Sequence, residues 1–513
     1  MTTYRAAAAA IIEHSQTHLG ADDGLWLTLV RAWTVAGDPE KARQAASVAR
    51  RYKVEALIQL GGDLGFSGAK ETAPPLLDEA LGEIGALDRP LLRDSRLSDL
   101  AGALRKHGQY GSALQVVRAI RSPCSRCQAA VGGDQHFRFD QPVVGEALKA
   151  MAEIEDVDDR EAAGDWVAGA LAVVGWKADA LALITEVRDD FERCRRQLRV
   201  AEGFFENGDS AAAAELGSLA AEGFCGRMSG GLSDGLYGDA ALLFARLGQF
   251  DRAAAVFESS ACHTGYVAAK IQEVCGLLLD AGRHLQALSL AQLMPDPAEA
   301  APVLAAIAED RYRAGERERA LQSLGEVASN LLGILARESG YRGSPETTAH
   351  ASDRSSVEHR ATAALNKVAT VLYRTGDRQD AIALLVRPMP EGAGPTLFSL
   401  QSVDLRVFAV EVAAAGDLDT AKELLERALV CGQAVSTDLP HERAERLGEL
   451  LVPELLVGRP EGAGRVWEVV EESHVDRVSF LNACLRIAMD CASHRVPVPD
   501  NLLARILAAI TFA

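Results

Sequence analysis

No stretch of the 513-residue sequence reaches the roughly 18 uncharged apolar residues that a membrane-crossing helix needs, so no span is expected. Aromatic residues are scarce, at 5%, although apolar residues as a whole make up 48%. So much apolar content, rich in alanine and poor in rings, favours closely packed helices over a β-rich fold. Positive charge is in deficit: 53 Lys and Arg face 72 Asp and Glu, a net charge of −19. A mean field of that sign repels polyanions and argues against a general nucleic-acid or anionic-membrane binder. Lysine supplies only nine of the 53 basic residues, an arginine bias that, with abundant Ala and Gly, is typical of GC-rich bacterial genomes. The nine cysteines form no small-domain framework, and an odd number scattered over a long chain reads as reduced thiols in a cytoplasmic protein. The opening MTTYRAAAAAIIEHSQ lacks the uninterrupted apolar core of a secretory signal, because Glu13 and His14 cut it short.

Motifs that carry chemistry are also missing. There is no G-x-x-x-x-G-K-[ST] phosphate cradle, no G-x-S-x-G elbow and no H-E-x-x-H pair. GRMSGGLSDGLYGD is rich in glycine, but no strand pattern precedes it, which removes a dinucleotide reading. Cys124 and Cys127 form a C-x2-C with His136 nearby, yet zinc needs four converging ligands and no second pair follows. His14 and His18 share a helix face without a third ligand, and the acids around Asp156, Asp158 and Asp159 lack the spacing of a calcium loop. No metal, no cofactor and no catalytic residue is expected on these grounds.

What is present is a repeat. In LGQFDRAAAVFE a glycine, Gly248, is followed five residues later by Ala253, and the same pairing recurs along the chain. The glycines are Gly37, Gly68, Gly108, Gly175, Gly208, Gly248, Gly282, Gly315, Gly376, Gly416 and Gly458. Eight residues before each lies an apolar residue, from Leu29 to Leu450. Four before lie Trp33, Leu64, Leu104, Leu171, Phe204, Phe244, Leu278, Leu372 and Val412, with Arg311 and Glu454 as the two exceptions. Nine after, most copies carry a large apolar residue such as Phe257, Leu324 or Trp467. Spacings of three and four mark one buried helical face on each side of a glycine turn, so each unit is an antiparallel helical hairpin. Most steps between glycines are 31–42 residues; the two long ones, 67 and 61, fit two units or one with an insertion. The first holds a degenerate hairpin around PCSRCQ, and the second a long mobile loop over 338–358, polar and poor in large apolars. A hairpin of this size cannot bury its apolar face alone, so neighbours must stack. The fold class is all-α, an α-solenoid occupying 1–513 as a single array.

These columns resemble the tetratricopeptide-type repeats, in a divergent bacterial form. LYGDAALLFARLGQFDRAAAVFE matches best, with Tyr237, Ala241, Phe244, Gly248, Ala253 and Phe257 at the family's positions, and the resemblance covers about 20–470. Departures are Leu451 where the family has a small residue, few helix-ending prolines, and units longer than 34 residues. The resemblance implies a right-handed superhelix whose first helices line a groove, with residues three and two before the turn glycine facing it. Those positions hold Arg105, Lys106, Arg246, Tyr312, Arg313, Tyr373 and Arg374, side chains suited to recognition. The expected partner is a protein or extended peptide, acidic or C-terminal in character, bound by a non-catalytic scaffold of the kind used in bacterial signalling, regulation or defence. The competing reading is an enzyme or small-molecule sensor with a pocket inside the helical fold. Residues 472–513 continue the amphipathic pattern and are expected to cap the array, an imperfect cap allowing self-association through an end.

Overall fold

The computed structural model describes residues 3–512 apart from 20–22, 50–51, 67–72, 107, 133–138, 225–231, 260–264, 295, 341–350, 387–394, 435–439 and 473–476. The described residues form 27 α-helices and no strand. After a lone first helix, α1 (Tyr4–His18), the helices come in pairs: α2 (Asp23–Ala36) with α3 (Pro39–Val48), α4 (Lys53–Phe66) with α5 (Ala73–Gly85), and α6 (Pro90–Lys106) with α7 (Tyr110–Ala119). Next are α8 (Pro123–Val131) and α9 (Gln141–Ala152), α10 (Val157–Val173) and α11 (Lys177–Thr185), α12 (Asp190–Glu206) and α13 (Ser210–Phe224). They are followed by α14 (Leu232–Arg246) and α15 (Phe250–Ser259), α16 (Gly265–Asp280) and α17 (His284–Ala291), α18 (Pro297–Arg313) and α19 (Arg317–Gly340). The last are α20 (Ala351–Arg374) and α21 (Arg378–Leu385), α22 (Pro395–Ala414) and α23 (Leu418–Gln433), α24 (Pro440–Leu456) and α25 (Pro460–Glu472), α26 (Arg477–His494) and α27 (Asp500–Phe512).

Ten of the eleven predicted turn glycines have φ between 70° and 91°, and Gly68 lies outside the described residues. At Gly248 the geometry explains itself. The Gly248 N–H donates to the Ala245 carbonyl at 2.9 Å, and the following Gln249 N–H reaches back to the Phe244 carbonyl at 2.8 Å. That pair of bonds closes the first helix with a left-handed residue, which glycine adopts without a Cβ penalty. Gln249 then starts the second helix, its carbonyl accepting from the Ala253 N–H at 3.1 Å. The same three bonds recur at all ten described turns. The alanine five residues after each of these glycines is wholly buried, and the column eight residues before and the large apolar residues nine after are buried too. Periodicity in the sequence therefore maps onto the core of each hairpin.

Contacts divide the chain into two compact units, Arg43–Leu293 and a second made of Met1–Ala42 with Met294–Ala513, where the sequence suggested one array. In Arg43–Leu293 the first helices α4, α6, α8, α10, α12, α14 and α16 pack side by side in chain order. In the other unit the order is α18, α20, α22, α24, α26 and then α2 from the start of the chain. The final helix α27 packs on α1, and α1 packs along α26, burying Ala7, Ala8, Ile11 and Ile12. Thus α26 and α27 are covered by α1, and α26 also by α2.

Both long intervals resolve into helices. The degenerate hairpin is the pair α8 and α9, packed on α6, α7 and α10. Of the loop expected over 338–358, residues 338–340 are helical in α19 and 351–358 in α20, while 341–350 lie outside the described residues. Polarity alone does not stop a helix, and this segment contains good helix formers on both flanks.

One charged cluster belongs to the core. Arg196 on α12 is only 4% exposed; its Nε donates to Asp165 Oδ1 at 2.7 Å, Nη1 to the Leu183 carbonyl at 2.9 Å and Nη2 to the Glu161 carbonyl at 2.6 Å. Arg195 binds the other oxygen of Asp165. Gly164 leaves room for the guanidinium, since a Cβ there would lie 2.9 Å from Nη2. The planar fork thereby ties α10, α11 and α12 together.

Two predictions follow from this packing. Gly248→Ala meets no atom within 4 Å, so its cost is the left-handed backbone alone, about 1–2 kcal/mol, whereas Gly276→Ala inside α16, equally open, should gain about 0.5–1 kcal/mol. Chemical denaturation midpoints moving in opposite directions would establish this. Arg196→Met should cost about 3 kcal/mol by leaving two carbonyls unpaired, and Arg196→Lys should not restore it because one ammonium cannot span the three sites; thermal melting of both variants checks it.

Candidate functional site

The expected binding residues separate according to their offset from the turn. Three residues before the glycine, Arg105 and Tyr373 turn inward. Arg105 is buried, with Nη2 donating to the Gly132 carbonyl at 3.2 Å and its guanidinium 5.8 Å from the Phe139 ring. Tyr373 is also buried: its hydroxyl donates to Asp417 Oδ2 at 3.2 Å, and Phe408 meets its ring edge-on at 5.5 Å. Burial, then the neighbouring Asp417 charge, raises the Tyr373 phenol above its ordinary range. Asp417 in turn caps α23 by accepting from the Thr420 N–H at 3.2 Å. Burial opposes its ionisation, but the Thr420 bonds, the Tyr373 hydroxyl and Arg378 hold it below the usual carboxylate range. Arg105 and Tyr373 thus hold hairpins together and are not presented for recognition, a correction to the sequence reading.

Two residues before the glycine, side chains face outward. Arg246 is exposed at the end of α14, Arg313 is 66% exposed and Arg374 is 51% exposed. Lys106 lies in α6 with its side chain outside the description. Arg313 and Arg374 come together over Glu309 of α18: Arg313 Nη2 is 2.5 Å from it, and Arg374 Nη1 is 4.0 Å from it. Arg313 also reaches Asp310 at 3.0 Å, and Arg374 reaches Glu411 of α22 at 3.7 Å. Tyr312, half-buried, places its hydroxyl beside the Gly376 turn, 3.7 Å from where a Cβ would stand. Tyr312, Arg313 and Arg374 therefore form one patch across α18 and α20. Arg105 and Arg246 belong to the other unit.

Three polar features lie outside the set of expected binding residues. On α12, Glu202 is 22% exposed and pairs with Arg199 at 3.3 Å. Burial pushes its carboxyl up to about 7; Arg199 opposes the rise, Asp239 adds to it, and Arg246 and Lys270 oppose it. The other two sit at the breaks in the apolar column. Arg311 opens onto a polar groove of about 300 Å³ with Glu316, Arg319, Gln322, Ser323 and Glu326. Its Nη1 lies 3.5 Å from Ser323 Oγ, while Glu316 pairs with Arg319 and Gln322 with Glu326 along α19. Glu454, by contrast, is fully enclosed. The C-x2-C pair shows no reactive setting: Cys127 is wholly buried, which drives its thiol up to about 12, and burial also raises Cys124. Among the described residues no group of three or more His, Cys, Asp or Glu is placed to hold a metal ion, and no helix is long and apolar enough to cross a membrane.

No protein-family model and no curated protein matches the sequence. Among solved structures, Ton1535 from Thermococcus onnurineus NA1 is 12% identical, with a TM-score of 0.23, covering 80% of this chain and 97% of its own. The human IFIT1 dimer with PPP-AAAA is 14% identical, with a TM-score of 0.25, covering 83% and 94%. A circular tandem repeat protein with novel repeat topology is 14% identical, with a TM-score of 0.18, covering 99% and 98%.

Proposed function

We propose that the chain is a non-catalytic scaffold that binds another protein or an extended peptide along the first-helix face of the unit containing α18, α20 and α22. The observation that carries this reading is the state of Arg374. Its guanidinium is half exposed and sits 4.0 Å from Glu309 and 3.7 Å from Glu411, beyond good hydrogen-bond length to either. A partner carboxylate, from an acidic side chain or a chain terminus, gains a bidentate fork there by displacing Glu411. Tyr312 beside it supplies broad amphipathic contact at low entropic cost. Glu309, Asp310 and Glu411 make the patch mixed in charge, so recognition is selective in register, and a general attraction to anions does not follow. Such an adaptor suits a cytoplasmic role in bacterial signalling, regulation or defence.

A second reading, a small-molecule sensor, is favoured by one observation, the Arg311 groove, whose volume is at the small end of ligand sites. The mutual pairing of its α19 side chains and their exposure rank it below the scaffold.

Co-purification from the native source identifies the partner, and affinity measurements then separate the surfaces. The pair Arg313→Glu and Arg374→Glu should weaken binding at least about tenfold, while Arg319→Glu on α19 should leave it unchanged. Unaltered affinity in a correctly folded double variant would exclude this face.

A further inference from the structure

Glu454 occupies the position four before Gly458 where the other hairpins, Arg311 apart, place an apolar side chain. Its carbonyl does what the fold requires, accepting the Arg459 N–H at 2.8 Å. Its carboxyl group is another matter: the side chain is 0% exposed, and neither oxygen has a hydrogen-bond partner among the described residues. Gly462 on α25 backs directly onto it, for a Cβ there would lie 2.7 Å from Glu454 Cδ. The nearest cation is Arg459, whose Nε stands 3.5 Å from Oε2. The rest of that guanidinium is committed to α23, with Nη1 donating to the Lys422 carbonyl at 3.0 Å and Nη2 bound to Glu426, which also holds Arg465.

We propose that Glu454 is a proton-binding site that sets how firmly the α24–α25 turn is tied to α23. Protonated, the carboxyl is neutral and leaves Arg459 on α23. When it gives its proton to solvent, a buried anion without hydrogen bonds remains, and the nearby Arg459 is drawn inward from Glu426 and the Lys422 carbonyl. A buried carboxylate lacking donors is costly, so the neutral acid is favoured to a higher pH than in water.

The surrounding charges fit this. Helix α24 packs against α22, α23, α25 and α26. Glu426 comes from α23, Arg465 from α25 and Arg459 from the turn; Glu461 of α25 acts on Arg465. The charges of α22 and α26 gather elsewhere, Arg406 on Glu449 at 3.2 Å and Arg486 with Asp490 around that same Glu449. Burial moves the Glu454 carboxyl up to about 7; Arg459 opposes this, Glu426 adds to it, and Arg465 opposes it. The folded value lies above the ordinary 4.5, so the stabilising contribution is complete below about 4.5 and is lost as pH rises through about 7.

The test is hydrogen exchange of the full chain at pH 6 and pH 8, corrected for intrinsic rates, with infrared difference spectra over the same interval. In the wild type the amides of Arg459 and its neighbours in α25 should lose protection at least about tenfold, and less than about twofold in Glu454→Gln. Glu202→Gln removes a second carboxyl that burial pushes up to about 7 and should leave the wild-type response at Arg459 intact. A carboxylic-acid band that disappears between pH 6 and 8 in Glu202→Gln but is missing from the Glu202→Gln/Glu454→Gln double variant supports the proposal. Equal loss of protection in wild type and Glu454→Gln overturns it. If Glu454→Gln does not fold, the Glu202→Gln spectrum decides: without a disappearing acid band, Glu454 is not the proton site.

Discussion

The left-handed glycine at each hairpin turn is the constraint on which the molecule depends. It fixes where the first helix stops, because the residue after it must donate to the carbonyl four residues before the glycine. It also fixes where the second helix starts, because that same residue's carbonyl accepts from the alanine four positions later. Two helices joined this way have a set phase relative to each other. A side chain four before the turn and an alanine five after it are then forced into the same interior, which is why one is large and apolar and the other has only a methyl group.

This coupling makes a charged residue four before the turn unusual in a physical sense, because its carbonyl is needed while its side chain is unwelcome. The two hairpins that tolerate one do so differently. At Arg311 the side chain is half-buried and turns towards a polar groove along α19, where its long stem lets the charged head stay near water. At Glu454 the stem is too short to escape, and Gly462 and Arg459 shape the space around the carboxyl. The chemistry of these two residues follows from the length of the side chain placed at one repeated position.

The hairpins were legible because their determinants are local. A glycine that must be left-handed and an alanine that must be small leave a mark at fixed spacing, and ten such turns are found where the spacing put them. Facing direction was less legible. One residue along a helix is about 100° of rotation, enough to send Arg105 and Tyr373 into the interior while Arg313 and Arg374 point outward. Which of the two adjacent positions is inward depends on the next hairpin, whose Asp417 or Gly132 supplies the polar partner. Sequence shows the offsets but not those partners. The Glu202 site was hidden for a similar reason, since Arg199, Asp239, Arg246 and Lys270 are spread over three helices.

The first helix illustrates how far local rules reach. MTTYRAAAAAIIEHSQTH carries no turn glycine and no repeat column, yet α1 lies between α26 and α27 with one face of Ala7, Ala8, Ile11 and Ile12 fully enclosed. A stack of hairpins exposes an apolar flank wherever it ends, and each flank has the shape of the next hairpin. Alanine and isoleucine at spacings of three and four provide that shape without any turn of their own. In the unit that holds both chain ends, helices from the start of the sequence thus cover the flank left by the last hairpin. The requirement behind the repeat, an apolar face that no hairpin buries alone, is met there by a helix outside the repeat pattern.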